Sequence, residues 1–153
     1  MPERLFCYGT LQIPAVMRAV VGRRPRGFKA CLPGYAAYRV RGAEYPGVLA
    51  APGQSTPGIL YRQLSLPELQ TLDRFEGALY VRRHIPVRLA DGRRCQAWIY
   101  LLARAKTRHL SRQRWLLLVF RRTLAKRFMN RFVWARRTAF LPPATQSANA
   151  PPE

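Results

Sequence analysis

Apolar residues follow two rhythms along this chain. Up to about residue 102 they come in short runs cut by glycine and proline, and beyond Ser111 they recur at helical spacing. Residues 4–8, with Leu5, Phe6 and Tyr8, read as a first strand that Gly9-Thr10 ends sharply. Pro14 suits the opening turn of a short helix closing near Gly22. Residues 22–58 are dense in Gly and Pro around brief apolar runs at 34–40 and 48–51, which predicts short strands joined by tight turns, with a further strand at 59–64. Ser65-Leu66-Pro67-Glu68 has the form of a capping box with proline in the first turn, and Gly77 is a good stop, so a helix lies between them. Leu66, Leu69, Leu72 and Glu76 follow at steps of three or four, which makes Glu76 project from the leucine stripe toward the interior. Residues 80–89 have strand composition, Asp91-Gly92 is a hairpin signal, and residues 94–102 alternate well enough to be the partner strand. Five or six strands with two short helices predict an α+β domain, a small curled sheet or barrel with helices at its rim.

From Ser111 to about Phe140 the period changes. Leu117, Phe120, Leu124 and Phe128 recur at helical spacing, interleaved with Arg121, Arg122, Lys126, Arg127 and Arg131. This predicts either a terminal helix packed on the sheet with a solvated basic face, or a helix that meets a membrane surface or nucleic acid. The tail, rich in Pro, Ala and polar residues, has the composition of a disordered segment. The expected organisation is a domain at 1–102, a basic helical extension at 103–140 and a disordered tail at 141–153.

With 153 residues, 48% of them hydrophobic, the chain has the size of one ordinary domain with a real core. Its formal charge of +20 comes from 27 Lys and Arg against 7 Asp and Glu. The excess is uneven, net +9 up to Leu102 and net +11 from Ala103 onward. Such a surplus attracts polyanions or acidic lipid surfaces and says nothing of fold. Cys7, Cys31 and Cys95 are odd in number and widely spaced, without a Cys-x-x-Cys pair, and fit a reduced, cytoplasmic setting with no metal site. No leader pattern opens the sequence, and its longest apolar run, residues 115–120, is far short of a membrane span.

Candidate chemistry centres on Glu76. Partial burial and the negative end of a helix dipole both disfavour a charged carboxylate, and a raised pKa suits proton transfer near neutral pH. A boundary glutamate that caps a backbone group or pairs with an arginine would look the same in sequence. The strand, glycine turn and helix at Tyr8, Gly9, Thr10 and Leu11 form either a plain structural turn or a cradle of N–H groups for a carboxylate or phosphate; the glycine patterns of P-loops and dinucleotide folds are absent. Of the other acids, Glu3 and Glu153 are terminal, Asp91 is in a turn and Glu68 is used by the capping box, which leaves Glu44 and Asp73 as spares. Cys7 reads as a buried apolar residue rather than a nucleophile, since nothing places His84 or His109 beside it.

Four ordered blocks carry a resemblance. Leu5-Phe6-Cys7-Tyr8-Gly9-Thr10-Leu11, Glu44-Tyr45-Pro46-Gly47-Val48, Gly58-Ile59-Leu60-Tyr61, and Leu72-Asp73-Arg74-Phe75-Glu76-Gly77 followed by Tyr80-Val81-Arg82 together resemble the gamma-glutamylcyclotransferase-like family, also called AIG2-like. The resemblance implies a small mixed or antiparallel β-barrel with flanking helices and a cavity at one end. It implies release of 5-oxoproline from gamma-glutamyl amides, with no metal or organic cofactor. The family's catalytic glutamate matches Glu76, its substrate-binding loop matches Tyr8, Gly9, Thr10 and Leu11, and Tyr80 and Arg82 match positions that recur near the site. A supporting role near the cavity is open to Glu44.

No family motif matches the last 50 or so residues. Two functional classes follow. One is an enzyme with Glu76 as base and then acid. The other is a non-catalytic binding module on the same scaffold, whose basic segment at residues 112–137 makes a weak polyanion or membrane-surface contact, with no specific nucleic acid expected.

Overall fold

Leu5, Phe6 and Cys7 are all buried, so the end of β1 (Glu3–Cys7) is covered on both faces, the pattern of an interior strand. In the computed structural model, which describes residues 2–43 and 45–123, β1 runs antiparallel to β3 (Pro46–Leu64) and parallel to β5 (Arg94–Leu102). From β5 the sheet continues through β4 (Tyr80–Leu89) to β2 (Gly27–Val40), and β2 pairs with β3 again. Five strands therefore close on themselves, and closure removes the unpaired edges that an open sheet would present. A sixth strand, β6 (Leu110–Arg114), is added outside the ring on β2. This is the α+β barrel with flanking helices that the sequence implied.

Residues 22–64 differ from expectation. Instead of several short strands they form two long ones, β2 of 14 residues and β3 of 19. Gly and Pro in this stretch punctuate strands rather than end them. The register steps from Pro33↔Ser55 to Tyr35↔Ala50, so residues 51–54 bulge out of β3, with Gly34 and Gly53 both at positive φ beside the step. A strand that must bend around a small barrel needs such interruptions.

Two helices sit on the ring and pack against each other. Pro14 opens α1 (Pro14–Val21), Gly22 closes it in the left-handed region at φ 85°, and Val16, Met17 and Val20 are its buried side chains. The capping box of α2 (Leu66–Glu76) is present in both directions. The Glu68 N–H donates to Ser65 Oγ at 3.2 Å, and the Ser65 N–H donates to Glu68 Oε1 at 2.9 Å. The buried stripe is Leu69, Leu72 and Phe75, whereas Leu66, expected on it and the first residue of the helix, is 55% exposed. Glu76, the last residue of α2, is half-buried at the margin of that stripe. Gly77 ends the helix, a 3₁₀ turn (Gly77–Leu79) follows, and β4 begins at Tyr80.

The β4–β5 hairpin forms at the expected turn, where Gly92 takes φ 88° and the Arg93 N–H donates to Asp91 Oδ1 at 3.0 Å. After β5 the chain departs from the helix expected from Ser111. Ser111 lies in β6, whose Leu110 packs with Val40 and Leu102, and Ser111 Oγ donates to the Arg39 carbonyl at 2.8 Å. The unpaired edge of β2 competes for this segment and wins over its helical periodicity. Trp115 and Phe120 then bury their rings together at 5.6 Å, and α3 (Leu117–Thr123) begins the helix. The rest of the expected extension and the tail at 141–153 lie outside the described residues, as does Glu44. No helix among the described residues is long and apolar enough to cross a membrane.

Candidate active site

Where β1 leaves the ring, Tyr8 and Gly9 lead into a 3₁₀ turn (Thr10–Gln12). The N–H groups that open such a turn have no acceptor within it. The turn is fixed from beneath: the Gln12 N–H donates to the Gly9 carbonyl at 3.1 Å, and the buried Tyr61 hydroxyl donates to the Leu11 carbonyl at 2.7 Å. Gly9 is required by crowding, since a Cβ there would lie 2.9 Å from Pro46 Cγ.

Across from this turn stands the C-terminal end of α2. Tyr8, Gly9, Thr10 and Leu11 line one pocket together with Glu76 and Tyr80. Phe6, Cys7, Tyr45, Pro46 and Tyr100 complete its wall; the space inside is small, about 30 Å³, and it opens to solvent. Three buried or half-buried tyrosines are tied to backbone carbonyls or carboxylates around it. Tyr8 donates to the Tyr100 carbonyl at 2.6 Å, Tyr80 to the Pro46 carbonyl at 2.5 Å, and Tyr100 to Asp73 Oδ1 at 2.8 Å. Tyr45 meets Tyr80 edge-on at 6.2 Å.

Burial pushes the phenols of Tyr8, Tyr80 and Tyr100 well above the ordinary tyrosine range, and the charge of Glu76 raises each of them further. Burial raises the Cys7 thiol in the same way, with Glu76 again adding to it. At neutral pH the hydroxyl groups of Tyr8, Tyr80 and Tyr100 and the Cys7 thiol therefore stay protonated. Cys7 is no nucleophile here.

Arg82 does not line this pocket. Its guanidinium forms a forked pair with Asp73, at 2.8 and 3.1 Å, and lies 4.3 Å over the Trp98 ring in an adjoining depression. Asp73, the spare acid, is thereby held between Arg82 and the Tyr100 hydroxyl. His84 is exposed and rests against Trp98. Sequence reasoning missed Tyr100 and Tyr61. For Tyr100 a signal existed: counting back from the Asp91-Gly92 turn pairs Tyr100 with Arg82 and sets it on the strand beside Tyr80.

A family model described as "Gamma-glutamyl cyclotransferase, AIG2-like" matches residues 5–117, which takes in both the turn and Glu76. The chain belongs to the gamma-glutamyl cyclotransferase, AIG2-like family. The match extends through β6, so the family's unit in this chain includes the strand added after residue 102. AIG2-like protein C of Arabidopsis thaliana is 34% identical over 87 residues, covering 57% of this chain and 51% of that protein. AIG2-like protein D of the same plant is 31% identical over 87 residues, covering 57% of each. The chain thus spans about half the length of the curated relatives it matches. Among solved structures, that of an Arabidopsis thaliana protein in solution superposes with a TM-score of 0.68 at 21% identity, covering 100% of this chain and 96% of that one. A structure titled gamma-glutamyl cyclotransferase gives 0.60 at 17% identity, covering 67% and 68%. At such identities the superpositions show that the AIG2-like fold is shared.

Proposed function

We propose that this chain is a gamma-glutamylcyclotransferase-type enzyme that releases 5-oxoproline from a gamma-glutamyl amide, with Glu76 moving the protons. One observation carries the reading: the Glu76 carboxylate and the Tyr8–Leu11 turn line the same pocket. Among the described acids, Glu76 is the one that lines this pocket.

The reaction needs little beyond shape and a proton carrier. The substrate's α-amine attacks its own γ-carbonyl, and a C–N bond forms to close a five-membered ring. Glu76 takes the proton that the attacking nitrogen loses. The tetrahedral centre then collapses, the original amide C–N bond breaks, and Glu76 returns the proton to the departing amine. Nucleophile and electrophile already belong to one molecule, so holding the glutamyl chain in a ring-closing shape supplies much of the rate. The N–H groups at Gly9, Thr10 and Leu11 would hold the α-carboxylate, and a neutral tyrosine hydroxyl or a turn N–H would meet the oxyanion.

The test is direct. The full chain is incubated with a panel of gamma-glutamyl amides that differ in the departing amine, and 5-oxoproline and free amine are quantified by mass spectrometry. Equimolar release of both from at least one substrate is expected. A folded protein that releases neither from any of them overturns the reading.

A further inference from the structure

The barrel has a second end. Arg4 is the second residue of β1 and Tyr8 follows its last, so the two lie about 13 Å apart along the strand. Around Arg4 a cleft opens that is lined by Arg62 of β3, Leu89 of β4, Arg93 of the hairpin turn, and Arg94 and Cys95 of β5. It holds about 240 Å³, opens to solvent, and is lined by no carboxylate among the described residues.

Three observations set this cleft apart from a generally basic surface. First, Arg62 is held in place: its guanidinium lies 4.5 Å over the Phe28 ring, and its Nε is buried with no hydrogen-bond acceptor among the described residues. A buried cationic donor without an acceptor is unfavourable, and an anion would supply one. Second, Arg88 and Arg94 stand directly opposite each other across β4 and β5, an arrangement that like charges disfavour. Third, the ion pairs among the described residues lie elsewhere or only at the margin. Glu68 pairs with Arg23 and Asp73 with Arg82, none of which lines the cleft, while Asp91 takes Arg93 at its rim at 2.7 Å. Arg4, Arg62, Arg88 and Arg94 take part in none of them.

We propose that the cleft between Arg4, Arg62 and Arg94, at the barrel end away from Glu76, binds a small multiply charged oxyanion, a phosphate or phosphoester. Guanidinium groups suit this ligand because their fixed fork matches phosphate oxygens and they stay charged at any physiological pH. Three strands that neighbour one another in the ring, β3, β1 and β5, present the three arginines, so the site is carried by rigid elements. This site stands independently of the enzyme reading, since it shares no residue with the Glu76 pocket.

The experiment titrates the full chain with pyrophosphate by calorimetry at about 0.15 M salt, where diffuse surface attraction is screened. Arg62→Gln and Arg94→Gln are compared with Arg18→Gln, which removes the same charge from an exposed position on α1. The expected result is binding to the native chain and to Arg18→Gln, weakened at least about tenfold in each cleft variant. Arg94 is exposed, so its variant keeps the test valid should Arg62→Gln fail to fold. Flotation with phosphatidylcholine vesicles, with and without phosphatidylinositol phosphate, identifies the source. Vesicle binding that Arg94→Gln abolishes assigns a lipid headgroup, and pyrophosphate binding without vesicle binding assigns a soluble phosphoester. Absence of pyrophosphate binding, or equal weakening in all three variants, overturns the site.

Discussion

Replacing Gly9 by alanine adds one methyl group at a crowded point of the pocket wall. Its Cβ would lie 2.9 Å from Cγ and 3.0 Å from Cδ of Pro46. The φ of −118° at Gly9 is negative, and crowding by itself carries a cost. Pro46 cannot retreat easily, because its carbonyl accepts the Tyr80 hydroxyl at 2.5 Å and its backbone is paired with Arg39 in β2. Overpacking of this kind costs about 1–3 kcal/mol. In a domain of this size each kcal/mol lowers the melting midpoint by about 3 °C. The turn should yield before the barrel does, and if it holds substrate as proposed, a displacement of about 1 Å there costs on the order of a hundredfold in rate. Thermal denaturation followed by circular dichroism, together with steady-state release of 5-oxoproline, reads both effects. A Gly9→Ala protein with native midpoint and native rate would refute the close approach of the turn to Pro46 and its part in the pocket.

Other outcomes follow from the same contacts. Tyr61→Phe leaves the Leu11 carbonyl without its donor in a buried place and should cost about 1–3 kcal/mol, read as a lower urea midpoint at unchanged slope. The Glu68 carboxyl is held below the ordinary glutamate value, chiefly by the Arg23 hydrogen bonds. Its contribution is therefore fully present above that ordinary value and lost as pH falls through the lowered one, so Glu68→Gln should flatten the acid-side fall of the melting temperature between about pH 5 and pH 2. Cys7, buried and raised by its surroundings, should resist iodoacetamide in the native state while Cys31 and Cys95 are alkylated, as peptide mass spectrometry would show.

Much of this molecule was legible from local chemistry. The capping box at Ser65 and Glu68, the stop at Gly22 and the hairpin at Asp91-Gly92 each rest on contacts within a few residues, and each formed as read. Long-range pairing was not legible in the same way. Glycines and prolines between residues 22 and 58 carry turn chemistry, yet the partner strand uses them as bulges, and only the closed ring makes that the better arrangement. Likewise, residues 110–114 have no strong strand pattern of their own and are recruited by the free edge of β2. At the site, motif order brought out the turn and Glu76, which share a pocket, but it also brought in Arg82, which faces Asp73 outside it. Alternation along β4 cannot tell a pocket-facing arginine from one engaged with a carboxylate on the neighbouring helix.

The central claim is that the carboxylate at the end of α2 carries the protons for ring closure in the pocket it shares with the first turn. The most direct measurement is the rate at which Glu76→Gln, saturated with a gamma-glutamyl amide that the native chain turns over, forms 5-oxoproline. The substitution keeps the shape of the side chain and removes its ability to exchange a proton. The rate should fall by at least about a hundredfold while the melting temperature stays near the native value. A rate close to native would contradict the claim.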